Sequence, residues 1–432
     1  MTTTRLPKDR LPYGVGHIGR GWAILAVIAA VMLFAGIYAY TRQLIDGEAV
    51  TGLADIGTGG GATWGLYVIF LVYFIGVSFA GISIAAITRL FNVEQLKPIT
   101  RIALLITIIS IFLGALLVII DLGQPLRGLT NLWLYARPGS PQFYTFTLVI
   151  SGYLFASLVY FFLASRKDAA ICAKTPGKLQ WFHRSWAAGY EDTRGERARR
   201  KRVSWLLAFA ILPLLVVAQL VGGFIFGFQG GQAGWFSALQ APGFLVIAGI
   251  AGIGLVIVVT AIVRKALKLE QQISPSVFRW LGNLLWVMTV TYLCLLIVEV
   301  LTATYASPGA EQRIYDVILF GEYAWAFWLS AVLLVFIILS IFTQWISGRY
   351  SIALIILAGV LANVVSILRR YVIVVPSQTH GTLLPYEAGS YSPTWIEYTI
   401  ILGLIGLGIL LFIGFMKVFP ILEIPEKKEG GS

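Results

Sequence analysis

Ten stretches of this chain are each apolar for about twenty residues or more. They lie at 22–41, 63–88, 101–120, 143–163, 203–228, 242–262, 278–302, 323–347, 350–374 and 394–418. A hydrocarbon core about 30 Å thick needs about 20 apolar residues per helix. Within it every backbone N–H and C=O must be bonded inside the protein, and runs this long and continuous do so as helices, not as barrel strands. The sequence therefore predicts an all-α membrane protein with about ten transmembrane helices. Composition agrees: 58% of the 432 residues are hydrophobic and 12% charged, against roughly 25% charged in a soluble domain. One water-soluble core cannot hide so much apolar surface. Disorder, a disulfide scaffold and a fibrous protein are excluded by the same composition. Cys172 and Cys294 stand far apart and form no CxxC pair, so they suggest neither a metal site nor a redox motif. The first span exceeds a signal-peptide core in length and no small-residue cleavage site follows it, so it reads as a retained helix.

Charge predicts the orientation. Alternate loops, beginning with the N-terminal tail, hold 26 of the 32 Lys and Arg residues; the other side holds Arg42, Arg127, Arg137, Arg313, Arg369 and Arg370. By the positive-inside rule both termini are cytoplasmic. The net charge of +12 then belongs to a membrane face and its lipid bilayer, and nucleic-acid binding is not needed to explain it. The run Arg197, Arg199, Arg200, Lys201, Arg202 reads as a topology and lipid-headgroup feature.

His17, His183 and His380 all fall in loops or tails. A haem held between transmembrane helices needs axial ligands in the bundle, most often His. The expectation is no haem and no metal in this chain, with electrons carried by a diffusible organic molecule or by another subunit. Gly57, Gly59, Gly60 and Gly61 precede a membrane helix on the outer side and read as a loop, not a phosphate cradle.

An internal repeat gives the carboxylates their positions. Glu94-Gln95, Pro98 and Arg101 follow the second span; Glu270-Gln271, Pro275 and Arg279 follow the sixth. Asp121 lies twenty residues beyond Arg101, and Glu299 twenty beyond Arg279. Twenty helical residues cover about 30 Å, so both carboxylates reach the outer boundary. Spans two to five match spans six to nine, and four helices per unit makes the repeats parallel. The organisation expected is 1–62 (tail, first helix, outer loop), 63–228 (first four-helix bundle), 229–374 (second bundle) and 375–432 (last helix and tail). Other polar groups in the outer half are Tyr67, Tyr73, Gln219, Glu322, Arg369, Arg370 and Glu397, with Gln124 and Arg127 close after Asp121. A carboxylate at this depth serves either as an interfacial or ion-paired group, with Arg127 as the natural partner, or as a functional one, because desolvation makes it costly.

The run Asp121-Leu122-Gly123-Gln124-Pro125-Leu126-Arg127, with Ser140-Pro141 before the next helix, resembles the DLGRP-type signature of the NrfD/PsrC family, the membrane subunits of polysulfide reductase-like complexes. Gln124 stands where the motif has Arg. Trp64 to Gly81 is similar to the first helix of that family's core, and Trp235 to Gly254 to the opening of its second half. Arg370-Tyr371-Val372, Tyr391-Ser392-Pro393-Thr394-Trp395 and Phe419-Pro420 resemble the longer ten-helix members of alternative complex III and sulfur-cycle redox complexes. The resemblance implies a subunit of the prokaryotic plasma membrane without redox cofactor of its own. It implies a quinone or quinol, of menaquinone type, bound near the outer face in the first bundle. Electrons would pass to or from an iron–sulfur (ferredoxin-like) subunit on that face, often serving a molybdopterin catalytic subunit. Relatives often place a His at the quinone; this chain has none in those spans, so Tyr67 or Tyr73 and Gln219 take its place.

On this reading Asp121 is the catalytic proton acceptor or donor. Tyr67, Tyr73, Gln124, Arg127 and Gln219 bind the quinone, with Arg127 tuning the carboxylate. Glu299 and Glu322 join Asp121 as proton-transfer candidates. The rival class is a secondary transporter, disfavoured by parallel repeats and by few paired Gly/Pro helix breaks. A third is a structural anchor that docks partners without binding quinone.

Overall fold

The computed structural model describes residues 11, 15–54, 61–135, 141–380 and 388–423, without the side chains of residues 132, 133, 135 and 141–149. Arg5, Lys8, Arg10, Gly57, Gly59, Gly60, Arg137, Ser140, Lys427 and Lys428 lie outside the described residues.

Among the described residues all regular structure is helical. Nine helical segments among the described residues are long and apolar enough to cross a membrane. Their helices are α1 (Arg20–Asp46), α2 (Leu66–Leu90), α3 (Thr100–Ile120), α7 (Arg194–Gly227), α8 (Gln240–Ala266), α9 (Pro275–Leu301), α11 (Ala324–Ser347), α12 (Ile352–Val374) and α14 (Trp395–Val418). The expected fourth span lies in α5 (Pro141–Cys172), a helix of 32 residues packed on α3 and α7. Short helices fill the connections: α4 (Pro125–Tyr135), α6 (Gln180–Ala187), α10 (Gly309–Phe320) and α13 (Pro376–Thr379). Helix α7 starts nine residues before the apolar run, because Thr193 and Glu196 form a capping box ahead of it. The basic run thus forms a helical extension rather than a loop.

Helices α2 and α8 are central, with most of their residues buried. Lipid tails are as apolar as Leu, so helix association in a membrane depends on close contact at small residues. A Cβ added at Gly252 of α8 would lie 2.6 Å from the Val77 carbonyl of α2. Gly254 meets Gly359 of α12 in the same way. Helices α1 and α14 form a separate pair that crosses at Gly36 and Gly403, where a Cβ on either would stand 2.7 Å from the other's Cα. Ile24, Val27, Val31 and Phe34 on the far side of α1 are exposed, as a lipid-facing surface requires. Gly36→Leu is expected to separate this pair, costing roughly 2–3 kcal/mol through overpacking, read as a lowered melting temperature in detergent.

The two ends of the bundle differ in charge. At the basic end, Arg101 opens α3 and is buried against Asp168 of α5 (Nη2 to Oδ2, 2.5 Å). Its guanidinium also donates to the carbonyls of Pro420 (2.8 Å) and Ala164 (3.2 Å). His183 of α6 bonds the Val418 carbonyl at 2.8 Å. Phe161, Phe182, Trp186 and Phe419 pack around this junction, mostly edge to face. The opposite end gathers carboxylates.

Candidate functional site

Asp121 caps the C-terminus of α3, its N–H bonded to the Leu117 carbonyl. Gly123 and Pro125 follow, and Pro125 opens α4, so the chain turns at the membrane boundary just beyond the apolar run. Asp121 is half-buried, and its Oδ1 is buried without a protein hydrogen-bond partner among the described residues. Glu48 reaches the same place from the short 3₁₀ turn Glu48–Val50. A Cβ at Gly123 would lie 3.7 Å from Glu48 Cγ. Gln43, in the last turn of α1, donates to Glu48 Oε1 (2.9 Å) and to the Ile120 carbonyl (3.3 Å), and accepts from the Tyr67 hydroxyl (2.7 Å). Glu48 Oε2 is buried and, like Asp121 Oδ1, has no protein partner among the described residues.

A third carboxylate braces this cluster. Glu397, fully buried in the first turn of α14, accepts from the Tyr391 hydroxyl (2.6 Å), the Gly52 N–H (2.7 Å) and the Thr394 N–H (3.0 Å). Tyr391 in turn accepts from the Leu66 N–H at 2.6 Å. These bonds fasten the loop after α1, the start of α2 and the start of α14 together.

Three carboxylates in a low-dielectric seam favour protonation. Burial, then the neighbouring Glu48 and Glu397, push the Asp121 carboxyl up to about 7. Burial and Glu397 also raise Glu48, against the hydrogen bonds from Gln43 and Thr51. A carboxyl poised near neutral pH can both take and release a proton. The same shift sets a stability dependence. Because the folded value lies above the ordinary 3.8, the contribution of the protonated form is fully present below about pH 4 and is lost as pH rises to about 7. Asp121→Asn is therefore expected to gain stability over the parent across that window, by roughly 2–4 kcal/mol at pH 8, and to match it near pH 4. Melting curves at several pH values in one detergent check this.

The other expected site residues are distributed differently. Tyr67 joins the Asp121 cluster through Gln43. Tyr73, about 9 Å further along α2, donates to Asn363 Oδ1 at 2.7 Å. It lines an apolar groove of about 320 Å³ between the α1/α14 pair and the central helices, with Trp22, Phe70, Phe74 and Phe412. Gln219 is buried on α7 and donates to the Ile75 carbonyl at 3.0 Å. Gln124 and Arg127 are exposed around the start of α4, and among the described residues Arg127 forms no ion pair with Asp121.

Glu299 anchors a second cluster at the same end. It accepts from the Tyr315 hydroxyl (2.8 Å) and Gln240 (3.5 Å), and pairs with Arg369 Nη2 at 3.8 Å. Arg369 also donates to the Tyr292 hydroxyl (3.1 Å). The turn after Glu299 is a π-helix, Thr302–Ala306, a distortion frequent at functional sites. With Glu311 and Tyr315 it lines an open cavity of about 600 Å³. Glu322 is exposed at the start of α11 and does not join Glu299. Arg370 is fully buried over the Phe244 ring, its guanidinium carbon 4.3 Å from the centroid.

Sequence reasoning left Gln43, Glu48 and Tyr391 out of the site. A glutamate in an outer loop is ordinary, and nothing local marks Glu48 as facing Asp121. Glu397 carried a readable signal, since Thr394 and Glu397 have capping-box spacing.

These features define a polytopic membrane protein with polar groups gathered at one end, and the sequence places it further. The family model for NrfD, polysulphide reductase, matches residues 55–380, and the chain belongs to that family. It is 28% identical to a selenate reductase subunit of Mesobacillus selenatarsenatis, over 93% of this chain and 94% of the relative. It is 27% identical to a putative dimethyl sulfoxide reductase membrane subunit of Halobacterium salinarum, over 97% and 95%. It is 24% identical to the Hdr-like menaquinol oxidoreductase integral membrane subunit of Archaeoglobus fulgidus, over 93% and 94%.

Proposed function

We propose that this chain is the quinone-reactive membrane subunit of an oxidoreductase complex, and that its quinone or quinol, of menaquinone type, binds at the Asp121–Glu48–Tyr67 seam. The observation that carries this reading is the pair of buried, unpartnered carboxylate oxygens, Glu48 Oε2 and Asp121 Oδ1, held at a membrane boundary. Burying a polar oxygen without a partner is costly, and a ligand hydroxyl satisfies it. Quinol oxidation releases two electrons and two protons; each ring oxygen needs a hydrogen-bond partner. Asp121 takes or supplies the proton at one oxygen. Tyr67, oriented by Gln43, is the neighbouring hydroxyl. Glu48 receives the proton from Asp121 and passes it towards the exposed Gly47 and Ala49 beside it, and the second proton follows the same route once Asp121 has been emptied. Tyr73 and its groove suit the isoprenoid tail, because the lining is apolar and aromatic. Gln219, Gln124 and Arg127 contribute indirectly: the first holds α7 to α2, and the other two lie on the exposed approach.

The relatives' names, which include a menaquinol oxidoreductase and two reductases, support redox partners for this chain as well. The partner is an iron–sulfur subunit on the carboxylate-rich face, with a molybdopterin catalytic subunit beyond it. The exposed Leu126, Leu129 and Leu134 of α4 offer a surface for it. The basic end faces the cytoplasm of a prokaryotic plasma membrane, with both termini there. Residues 63–228 form the quinone-binding bundle and 229–374 its duplicate, where Glu299 is the counterpart of Asp121. No redox cofactor is needed within the chain.

Titration of the detergent-purified chain with a quinol-analogue inhibitor, followed by Trp fluorescence, tests this. Saturable quenching at micromolar concentration is expected, and Asp121→Asn weakens it about tenfold. A folded sample with no saturable quenching, together with a substrate-dependent ion current in vesicles, would favour a secondary transporter instead.

A further inference from the structure

The basic end holds a cavity that the proposed redox chemistry does not use. It has a volume of about 740 Å³ and opens between the ends of α2, α5 and α7. Arg89, Lys97, Lys167, Arg200 and Lys201 line it. They come from α2, the 3₁₀ segment Glu94–Ile99, α5 and α7. Two carboxylates share the lining, Asp168 and Glu423. Arg101 sits 2.5 Å from Asp168 and offsets its charge. Lys97 also reaches Glu94, but that pair is exposed and 3.5 Å apart. The five cations outnumber the two carboxylates, so the lining is net positive. Lys167 is only 5% exposed, and low-dielectric walls around such a charge focus its field into the cavity.

The lining combines buried charged groups, Lys167 and Asp168, with an exposed aromatic wall at Trp205. Trp205 lines it and stacks on Phe209, one turn deeper along α7, with centroids 5.7 Å apart and planes at 6°. Both rings are exposed where α7 enters its apolar run, the level at which interfacial aromatics sit. A soluble anion has no use for such a wall, whereas it suits acyl chains attached to a headgroup of the size of the cavity. The volume suits a headgroup, within the roughly 300–1,000 Å³ of small-molecule sites.

We propose that this cavity is a binding site for an anionic phospholipid, with its phosphates among Arg89, Lys97, Lys167, Arg200 and Lys201 and its acyl chains along Trp205 and Phe209. The charge exceeds what a single phosphate offsets, so a headgroup with two phosphates binds more tightly than one with a single phosphate.

Native mass spectrometry of the delipidated full-length chain tests the assignment, with diphosphatidylglycerol, phosphatidylglycerol and inorganic phosphate as probes. Two variants of equal charge are compared. Lys97→Gln with Lys201→Gln removes two exposed cations of the cavity. Lys174→Gln with Lys178→Gln removes two exposed cations elsewhere on the same face. The expected result is tighter binding of diphosphatidylglycerol than of phosphatidylglycerol, weakened about 30-fold by the cavity variant and within about twofold of the parent in the other. Equal losses in the two variants would overturn the site in favour of diffuse surface attraction. Inorganic phosphate that binds as tightly and displaces the lipid would overturn the lipid assignment and leave a soluble-anion site.

Discussion

Asp121→Asn is expected to abolish quinol-linked turnover of the assembled complex while leaving its assembly intact. Asparagine keeps the shape of the side chain and removes the carboxyl to which the proton transfer is assigned in the proposed function. General acid–base catalysis contributes about 10²–10⁴-fold, so a loss of that size is predicted. The half-buried Asp121, with its Oδ1 shut off from solvent, is more costly to hold charged than neutral, so the variant should fold at least as well as the parent. Burial and the neighbouring carboxylates push the Asp121 carboxyl up to about 7, so the parent is expected to show a pH-dependent limb in that region that the residual activity of the variant lacks. Turnover by the purified complex from acid to alkaline pH, with subunit content measured in parallel, separates a chemical loss from an assembly loss. Unchanged turnover would remove Asp121 from the mechanism.

The second large effect concerns the other end. Arg101→Met should leave little folded protein, because it removes the ion pair to the buried Asp168 carboxylate and the hydrogen bonds to the Pro420 and Ala164 carbonyls together. Removing one partner of a buried ion pair costs about 3–5 kcal/mol. Replacing both partners with apolar residues is often close to neutral, so Arg101→Met with Asp168→Leu should recover much of the loss. Folded yield and melting temperature in detergent report both. A single variant as stable as the parent would show that the junction of α3, α5 and the C-terminal segment does not depend on this pair.

The contrast between these ends shows what the sequence made legible. The spans were readable because the solvent imposes them: a helix of about twenty apolar residues leaves little choice of structure. The long α7 extension was not, since its basic run carries no apolar period and its start depends on the Thr193 cap. Asp121 was legible from its distance to Arg101, measured along one helix. Glu48 and Gln43 were not, because their approach to Asp121 depends on how the α1/α14 pair docks, and the Gly36–Gly403 crossing that fixes the pair is a contact between residues far apart in sequence. Spacing put Asp121 and Glu299 at the same end, yet their surroundings diverge. Glu299 meets Arg369 and Tyr315, whereas Asp121 meets other carboxylates. Arg101 and Arg279 diverge likewise: the first is buried on Asp168, while the second lies 4.4 Å over the Tyr350 ring. Spacing locates a group along a helix; the charges that face it come from other elements.

Photolabelling of the full chain with a ring-azido menaquinone analogue, followed by peptide mapping, locates the quinone. Crosslinks are expected on the loop after α1, the start of α2 and the end of α3, lost when the quinol-analogue inhibitor is in excess. Crosslinks confined to the cavity lined by Glu299, Glu311 and Tyr315 would contradict that site and move the quinone to that cavity.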